Sequence, residues 1–168
     1  MLTEVNRLIN REKEESIVSQ WMSADASLSE SSVRLVTQFV LASNQFTHVR
    51  CEFCKQYGLN TSEFDVIATL YRAGDAYEVT AKELKEQTLL PSSGALSNRI
   101  DRLEAKGLVQ RRHDTIDKRS VKISLTEDGV ELVHQMYPKF FEQMSSQFSS
   151  LEPSEIETLI VLMSKMGA

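Results

Sequence analysis

The apolar residues of this 168-residue chain keep a helical period nearly everywhere, and one segment breaks it. Outside that segment, apolar positions recur at three- and four-residue intervals, which predicts α-helices. Residues 108–113 and 120–125 instead read as two strands, the second with clear alternation, joined by a charged turn at 114–119. Only six Gly and three Pro interrupt the chain. We therefore predict a mainly α fold with a small β-hairpin.

Two short helices are predicted directly before this hairpin. Thr80 and Glu83 have the spacing of a capping box, in which two side chains satisfy each other's backbone amides at the start of a helix. A second helix is expected over residues 92–106, with Gly107 as its stop signal. Its buried stripe is expected to be Leu96, Ile100 and Leu103. Two helices followed by a hairpin are typical of a winged helix-turn-helix, in which the hairpin is the wing.

The charge of the chain is distributed unevenly. The net charge is −5, an average that on its own argues against nucleic acid as a partner. Residues 98–122 hold eight basic and four acidic residues, a net charge of +4, whereas the remainder holds 11 basic and 20 acidic residues, a net charge of −9. A basic segment on an acidic body attracts phosphate where it docks and repels it elsewhere. We therefore expect double-stranded DNA as a partner.

Side-chain chemistry suggests which residues contact that DNA. Hydroxyl groups near the start of the 92–106 helix suit phosphate contacts, and small outward-facing residues let the helix enter the major groove closely. An outward asparagine can pair with adenine, an outward arginine with guanine or phosphate, and basic residues at the wing tip can enter a minor groove. The candidate DNA-binding residues are Ser92, Ser93, Ser97, Asn98, Arg102, Lys118 and Arg119.

A different class of function remains open for the same residues. A charged helix and hairpin also occur as solvated surfaces that contact other proteins. The alternative interpretation is therefore a winged-helix protein-interaction module without DNA binding. Salt separates the two, because binding to DNA through Lys and Arg weakens steeply as the salt concentration rises.

Helices are predicted on both sides of the winged helix-turn-helix. A short amphipathic helix begins the sequence, a polar run separates it from a long helix, and Thr61 is expected to cap the helix that follows. Two further helices complete the chain. The expected organisation is an extra N-terminal helix at 1–22, a linker at 23–32, a long helix at 33–57, the winged helix-turn-helix at 58–126 and C-terminal helices at 127–168.

The stretch from Pro91 to Gly129 resembles the MarR family of winged-helix transcriptional regulators, whose wing carries an Asp followed by basic residues and then a strand ending in Leu-Thr. The helix within GLNTSEFDVIATLYR, at 58–72, and the C-terminal pair of helices are also similar to that family. The wing here reads Asp-Lys-Arg, where many members have Asp-Arg-Arg. The resemblance implies a cytoplasmic homodimer, held together through 33–57 and 127–168, that binds a pseudo-palindromic operator and most often represses.

An extra N-terminal helix with a tryptophan, followed by a linker, is similar to the urate-responsive (PecS/HucR-type) branch of this family. The resemblance implies four ligand-binding residues, Trp21, Asp65, Arg99 and Arg111. Two guanidinium groups suit a planar anion, and an indole ring supplies an apolar face. In the implied mechanism, urate competes for the two arginines and repels the carboxylate, so that the recognition helix shifts and DNA affinity falls. The alternative is that Trp21 only packs the extra helix and that Asp65 and Arg99 form a structural ion pair.

Cys51 and Cys54 raise a second possible signal, since some relatives of this family sense oxidants through cysteine. A CxxC pair within a long helix is weak evidence for redox chemistry, and packing is the simpler interpretation. With His48 the pair leaves zinc one ligand short of a closed site, so no metal is expected. A regulator that answers to oxidants or to phenolic compounds remains the alternative within the family.

No motif of an enzyme is visible in the sequence. A Gly-rich phosphate loop, an HExxH pattern and a nucleophile elbow are all missing, and we expect neither catalysis nor a cofactor. No apolar stretch approaches the ~20 residues that cross a bilayer, and the start lacks the apolar core of a secretory signal, so a cytoplasmic protein is expected. One group of apolar residues has the spacing of a buried helical stripe, expected in a dimer core rather than at a cofactor: Tyr137, Phe140, Phe141, Met144 and Phe148.

Overall fold

The computed structural model describes residues 2–88, 93–113 and 121–166, with side chains from 10–88, 96–112 and 121–166. The chain divides into two compact units, residues 1–49 and residues 50–168. No helix within the described ranges has the length and apolar character required to cross a lipid bilayer.

Helix α1 spans Leu2–Ala24, and helix α2 spans Glu30–Gln56, the first part of which belongs to the first unit. The linker predicted at 23–32 is therefore shorter, because both helices extend into it. Ser23 still bonds to the helix carbonyl of Ser19, and Glu30 forms an (i, i+4) ion pair with Arg34 in the first turn of α2. The turn between the helices is fixed by Asp25, whose carboxylate accepts bonds from the backbone and hydroxyl of Ser27.

A buried carboxylate ties α1 to α2 within the first unit. Glu14 is buried and accepts hydrogen bonds from Arg34, at 3.2 Å, and from Gln38. Val18 of α1 and Thr37 of α2 are also buried. The extra N-terminal helix is thus packed against α2 and held in register by a charged group.

The described part of the second unit contains five further α-helices: α3 at Thr61–Arg72, α4 at Ala81–Gln87, α5 at Ser93–Ala105, α6 at Glu127–Ser145 and α7 at Pro153–Ser164. The expected cap at Thr61 is wrong by one residue. Asn60 adopts the extended N-cap conformation, its side chain accepts from the amide of Glu63, and the carboxylate of Glu63 accepts from the amide of Asn60. The capping box of Thr80 and Glu83 at the start of α4 is confirmed.

Three antiparallel strands form the sheet, in the order β1, β3, β2. Strand β1 spans Glu78–Thr80, β2 spans Val109–His113 and β3 spans Val121–Leu125. The two strands of the predicted hairpin are confirmed, and their register pairs Arg111 with Ile123. The sequence did not indicate β1, because three residues are too few for a period and Thr80 also serves as the N-cap of α4.

The predicted core stripe of α5 is confirmed, since Leu96, Ile100 and Leu103 are all buried. They join one apolar cluster with residues of α3, the sheet and α6. Gly129 lies at the start of α6, where an added Cβ would come well inside van der Waals contact of the backbone carbonyl of Leu108. Together with the sheet, this packing confirms a mainly α winged helix-turn-helix in which α4 and α5 precede the wing.

The predicted apolar stripe of α6 is only partly covered within one chain. Met144 is buried, Tyr137 and Phe140 pack on the core, and Phe141 is exposed, as is Phe148 in the short 3-10 helix Ser146–Phe148 that follows α6. The expected place of this stripe in a dimer core stays a prediction.

Among the described residues, α2 and α7 also expose rows of apolar side chains. The α2 apolar row, in the first unit, consists of Leu35, Val36, Phe39 and Val40. The α7 apolar row, in the second unit, consists of Ile160, Val161, Leu162 and Met163 on the helix and Met166 just beyond its end.

Candidate nucleic-acid interface and anion site

The solvent-facing side of α5 carries the polar residues that the helical spacing places there. Ser97, Asn98 and Arg102 are exposed, on the side of the helix away from its buried stripe. Ser93 is the first residue of α5. Three of the candidate DNA contacts, Ser92, Lys118 and Arg119, lie outside the described residues.

Several basic residues of the 98–122 segment are neutralised by acidic partners. Lys106 pairs with Glu63 at 2.8 Å, and Lys122 pairs with Glu78 at 3.0 Å. Arg102 and Arg112 remain exposed, Arg112 donating to the Gln110 side chain at 3.1 Å. The positive surface around α5 is therefore smaller than the net charge of residues 98–122 suggests. Arg102 is one of the exposed cations that form this surface.

Arg111 fastens the wing to α5. From strand β2 its guanidinium forms ion pairs with Asp101 and with Glu104, and both partners belong to α5. The same group donates weakly to the carbonyl of Ser97 at 3.5 Å. This predicted ligand residue is thus engaged with two carboxylates of α5.

Asp65 lies in a different charged cluster, at the middle of α3. Its carboxylate is mostly buried and forms an ion pair with Arg50 of α2. Burial raises the pKa of Asp65 above its usual range, although the positive charges of Arg50, Arg72 and Arg99 act in the opposite direction. Asp65 is therefore a desolvated carboxylate surrounded by arginines.

Arg99 faces this cluster from α5. Its side chain is half-buried, on the flank of the helix, as the spacing relative to the buried stripe predicts. Its charge acts on the Asp65 carboxyl, and its Nη1 atom is buried without a hydrogen-bond partner among the described residues. A buried guanidinium nitrogen in that condition is costly for a folded chain. The group is suited to an anion that accepts the unused hydrogen bond.

Sequence reasoning missed Arg50, the direct partner of Asp65. Its guanidinium carbon lies 5.9 Å from the centre of the Phe64 ring, which is consistent with a weak cation–π contact. Arg50 and Asp65 are 15 residues apart and lie on different helices. No local pattern connects them, so only the packing of α2 on α3 reveals the pair.

The four predicted ligand residues are therefore distributed over three surroundings. The structure brings Asp65 and Arg99 within electrostatic reach of each other, and places Arg111 with Asp101 and Glu104. Trp21 lies on α1 in the first unit, with 55% of its surface exposed.

The two cysteines are free thiols in unequal surroundings. Cys51 is partly buried, whereas Cys54 is fully buried. Burial raises the pKa of the Cys54 thiol to about 11, which leaves it protonated and unreactive at neutral pH. Among the described side chains, no group of three or more His, Cys, Asp or Glu residues is arranged to hold a metal ion.

An open depression of about 590 Å³ lies at the start of α6, lined by residues that include Tyr77, Val130 and His134. The four predicted ligand residues are not part of this lining. The candidate anion site is therefore defined by its charged groups and its unsatisfied donor rather than by an enclosed cavity.

Comparison with known proteins places this geometry in a family. The sequence model of the MarR family matches residues 57–120, which include α3, the helix-turn-helix and the first strand of the wing, β2. The HTH-type transcriptional regulator YkoM of Bacillus subtilis is 37% identical over 115 residues, covering 67% of this chain and 71% of YkoM.

Two further similarities extend over more of the chain. The HTH-type transcriptional regulator PecS of Dickeya dadantii is 28% identical over 147 residues, covering 86% of this chain and 88% of PecS. A structure of BpsR from Bordetella bronchiseptica, described with its regulation of DNA binding by 6-hydroxynicotinic acid, superposes with a TM-score of 0.67. It is 26% identical and covers 77% of this chain and 89% of that chain.

Proposed function

Because this chain belongs to the MarR family of DNA-binding transcriptional regulators, we propose that it is a homodimeric repressor released from its operator by urate or a related purine anion. Its relatives are regulators rather than enzymes. The observation that carries the effector part is the unbonded Nη1 atom of Arg99 beside Asp65. Arg99 stands on the same helix as the exposed Asn98 and Arg102, so one helix serves both an anion and DNA.

In the proposed DNA complex, α5 of each subunit enters one of two successive major grooves of a pseudo-palindromic site. Asn98 and Arg102 read base edges. Hydrogen bonds to DNA phosphates, which fix the position of α5 on the duplex, come from Ser92, Ser93 and Ser97. Two wing residues, Lys118 and Arg119, enter the flanking minor groove. We expect the regulator in the cytoplasm, because it must share a compartment with the operator DNA that it binds.

The homodimer is supported by the exposed apolar rows of α2 and α7. Isolated apolar side chains on a surface are ordinary, but a contiguous row on a helix is typical of an interface. The α7 apolar row includes Ile160, Leu162 and Met163, each more than half exposed. A second copy of the chain is the proposed occupant, which matches the two-fold symmetry of the proposed pseudo-palindromic operator.

The base-reading role of α5 is tested by Asn98→Ala and Arg102→Ala. Each variant is expected to weaken binding to the specific operator by about 1–3 kcal/mol while leaving binding to unrelated DNA nearly unchanged. Fluorescence anisotropy at several salt concentrations measures both, and Lys139→Ala on α6 is the matched exposed control. An equal loss on every DNA sequence, with a smaller salt slope, marks the residue as a backbone contact instead.

The proposed release begins with competition at the arginines. Urate accepts hydrogen bonds from the Arg99 guanidinium, neutralises its charge and repels the Asp65 carboxylate. Arg111 takes part by giving up its ion pairs with Asp101 and Glu104 in favour of the anion. Loss of these ion pairs loosens the wing from α5. A shift of α5 then lowers the affinity for DNA, because the two ligands favour different positions of one helix.

A gel-shift titration on the DNA upstream of the protein's own gene tests this directly. Urate is expected to release the DNA, and Arg99→Gln is expected to keep the DNA bound at urate concentrations that release the wild type. Calorimetry without DNA measures urate binding separately. A wild type that binds no urate, or that binds urate with unchanged operator affinity, contradicts the proposed effector.

A planar aromatic carboxylate is the second candidate effector. The 6-hydroxynicotinic acid named for BpsR has the flat shape and the negative charge that the Arg99 cluster suits. Salicylate and 6-hydroxynicotinate therefore serve as parallel arms of the same titration. An oxidant signal is disfavoured by the burial and the raised pKa of Cys54.

A further inference from the structure

The ion pair of Arg50 and Asp65 joins the end of α2 to the middle of α3. Both side chains are mostly buried, with 26% and 14% of their surfaces exposed. The family resemblance implies a ligand-binding role for Arg99 and Arg111, but it implies none for Arg50. Its position beside the one carboxylate of the cluster nevertheless makes it the nearest cation to that carboxylate.

The charges of the cluster do not balance. From α2 comes Arg50, from α3 come Asp65 and Arg72, and from α5 comes Arg99. Arg72 is exposed and donates to Thr69 at 3.0 Å, so water screens its charge. The two remaining guanidinium groups, of Arg50 and Arg99, are shielded from water and act on a single carboxylate, and Arg99 keeps a nitrogen without a hydrogen bond among the described residues.

We infer that Arg50 is a further anion-binding residue of the effector site, held by Asp65 in the ligand-free protein and transferred to the anion when the effector binds. The inference rests on the proposed function and adds a residue to it. A planar anion between Arg50 and Arg99 meets forked donors from α2 and from α5, and Asp65 is the group that it displaces.

The exchange has a consequence for protons. Asp65 is already desolvated, and losing Arg50 removes the largest opposing charge at its carboxyl. The other ionisable groups that act on this part of α3 are Arg72, Arg99 and the buried Cys54 thiol, which stays neutral. Binding of the anion is therefore accompanied by proton uptake at Asp65, and affinity falls as the pH rises.

The first test compares Arg50→Gln with Arg72→Gln as the matched control. Urate binding is measured by calorimetry on the full-length protein at pH 6, 7 and 8, in two buffers that differ in ionisation enthalpy. Loss of Arg50 is expected to weaken binding about ten- to hundredfold and to abolish proton uptake. Arg72→Gln is expected to stay within about twofold of the wild type, because that arginine is solvated.

A second variant guards against a mere loss of folding. Asp65→Asn removes the displaced carboxylate but keeps Arg50, so urate is expected to bind several-fold more tightly and without proton uptake. In the Arg50→Gln/Asp65→Asn double variant this gain is expected to vanish. A tighter single variant and a weaker double variant cannot both arise from unfolding.

The outcomes separate the two proposals. If the wild type binds urate and Arg50→Gln binds it equally well, the role of Arg50 is overturned and the proposed effector stands. If the Asp65→Asn gain persists without Arg50, the transfer is overturned as well. A wild type that binds neither urate, salicylate nor 6-hydroxynicotinate overturns the proposed function and this inference together.

Discussion

Two carboxylates stand two residues apart on α3 and are treated differently by the fold. Glu63 is almost fully buried, and its carboxylate accepts bonds from the amide of Asn60 at 2.9 Å and from the ammonium of Lys106 at 2.8 Å. Lys106 also donates to the carbonyl of Gly58 at 2.7 Å. This centre joins the start of α3 to the end of α5, and its acceptors and donors satisfy one another.

Asp65 belongs to a second charged centre, in which one buried donor has no hydrogen-bond partner among the described residues. It has a raised pKa in spite of its ion pair with Arg50, and Arg99 beside it keeps a buried nitrogen without a hydrogen bond among the described residues. Both centres pair a carboxylate of α3 with a cation from another part of the fold, and Glu63 is the more deeply buried of the two. The completeness of hydrogen bonding distinguishes them, and it separates an ion pair that stabilises the fold from one that is free to exchange partners.

The largest effect that sharpens this comparison is expected from Glu63→Ala. The substitution removes half of a capping box and leaves Lys106 without its partner, so the free energy of unfolding should fall by about 2–4 kcal/mol. Urea denaturation followed by circular dichroism measures the change. Glu83→Ala removes the corresponding carboxylate from the exposed capping box of α4, and a smaller loss is expected there.

Equal losses at Glu63 and Glu83 would break the comparison, because burial would then add nothing to the capping box. Urate affinity provides the second readout. Glu63→Ala protein that is still folded is expected to bind urate as the wild type does, since its carboxylate is occupied within the fold.

A smaller effect on stability is expected from Asp65→Asn, below about 1 kcal/mol at neutral pH, because removal of a desolvated charge offsets the loss of the Arg50 pair. The pH dependence carries the sharper signal. With a raised folded-state pKa, the contribution of Asp65 to stability is present at low pH and is lost as the pH rises through that pKa.

The stability of the wild type is therefore expected to fall relative to Asp65→Asn between pH 4 and pH 7, as measured by urea denaturation at each pH. Arg72→Gln, which keeps both members of the pair, is the control. A difference that grows in favour of the wild type over this range would show that the carboxylate is stabilised in its charged form, as in a closed ion pair.

The smallest expected effect is on the pKa of the Cys54 thiol, which both Arg50 and Asp65 influence. Its pKa of about 11 is raised mainly by burial, lowered by Arg50 and raised by Asp65. In a Cys51→Ser background, Asp65→Asn should lower this pKa and Arg50→Gln should raise it, as followed by the pH dependence of the rate of thiol alkylation. Opposite shifts support one shared cluster, and no shift in either variant would separate the thiol from it.

Most of the fold is predictable from local pattern. A window of a few residues is enough to predict the capping box at Thr80, the strand alternation of the wing, and the buried stripe of Leu96, Ile100 and Leu103. Strand β1 and the cap at Asn60 do not. A three-residue strand exists only through its pairing with β3, and the choice between Asn60 and Thr61 depends on backbone conformation that composition leaves open.

The candidate site is predictable only in part, for a related reason. The outward face of α5 and the flank position of Arg99 follow from the helical period. The pairing of Asp65 with Arg50, rather than with Arg99, depends on how α2 packs on α3, which no local pattern encodes. The engagement of Arg111 by Asp101 and Glu104 likewise depends on the contact between β2 and α5.

The α7 apolar row has a consequence for how much active regulator a cell contains. In the proposed dimer this row is covered only when two chains meet, so assembly is second order in the concentration of chain. The amount of dimer then falls more steeply than the amount of protein when synthesis slows. In the proposed dimer, a drop in expression therefore lowers the occupancy of an operator that requires both copies of α5 by more than the drop in protein alone, even before any effector is present.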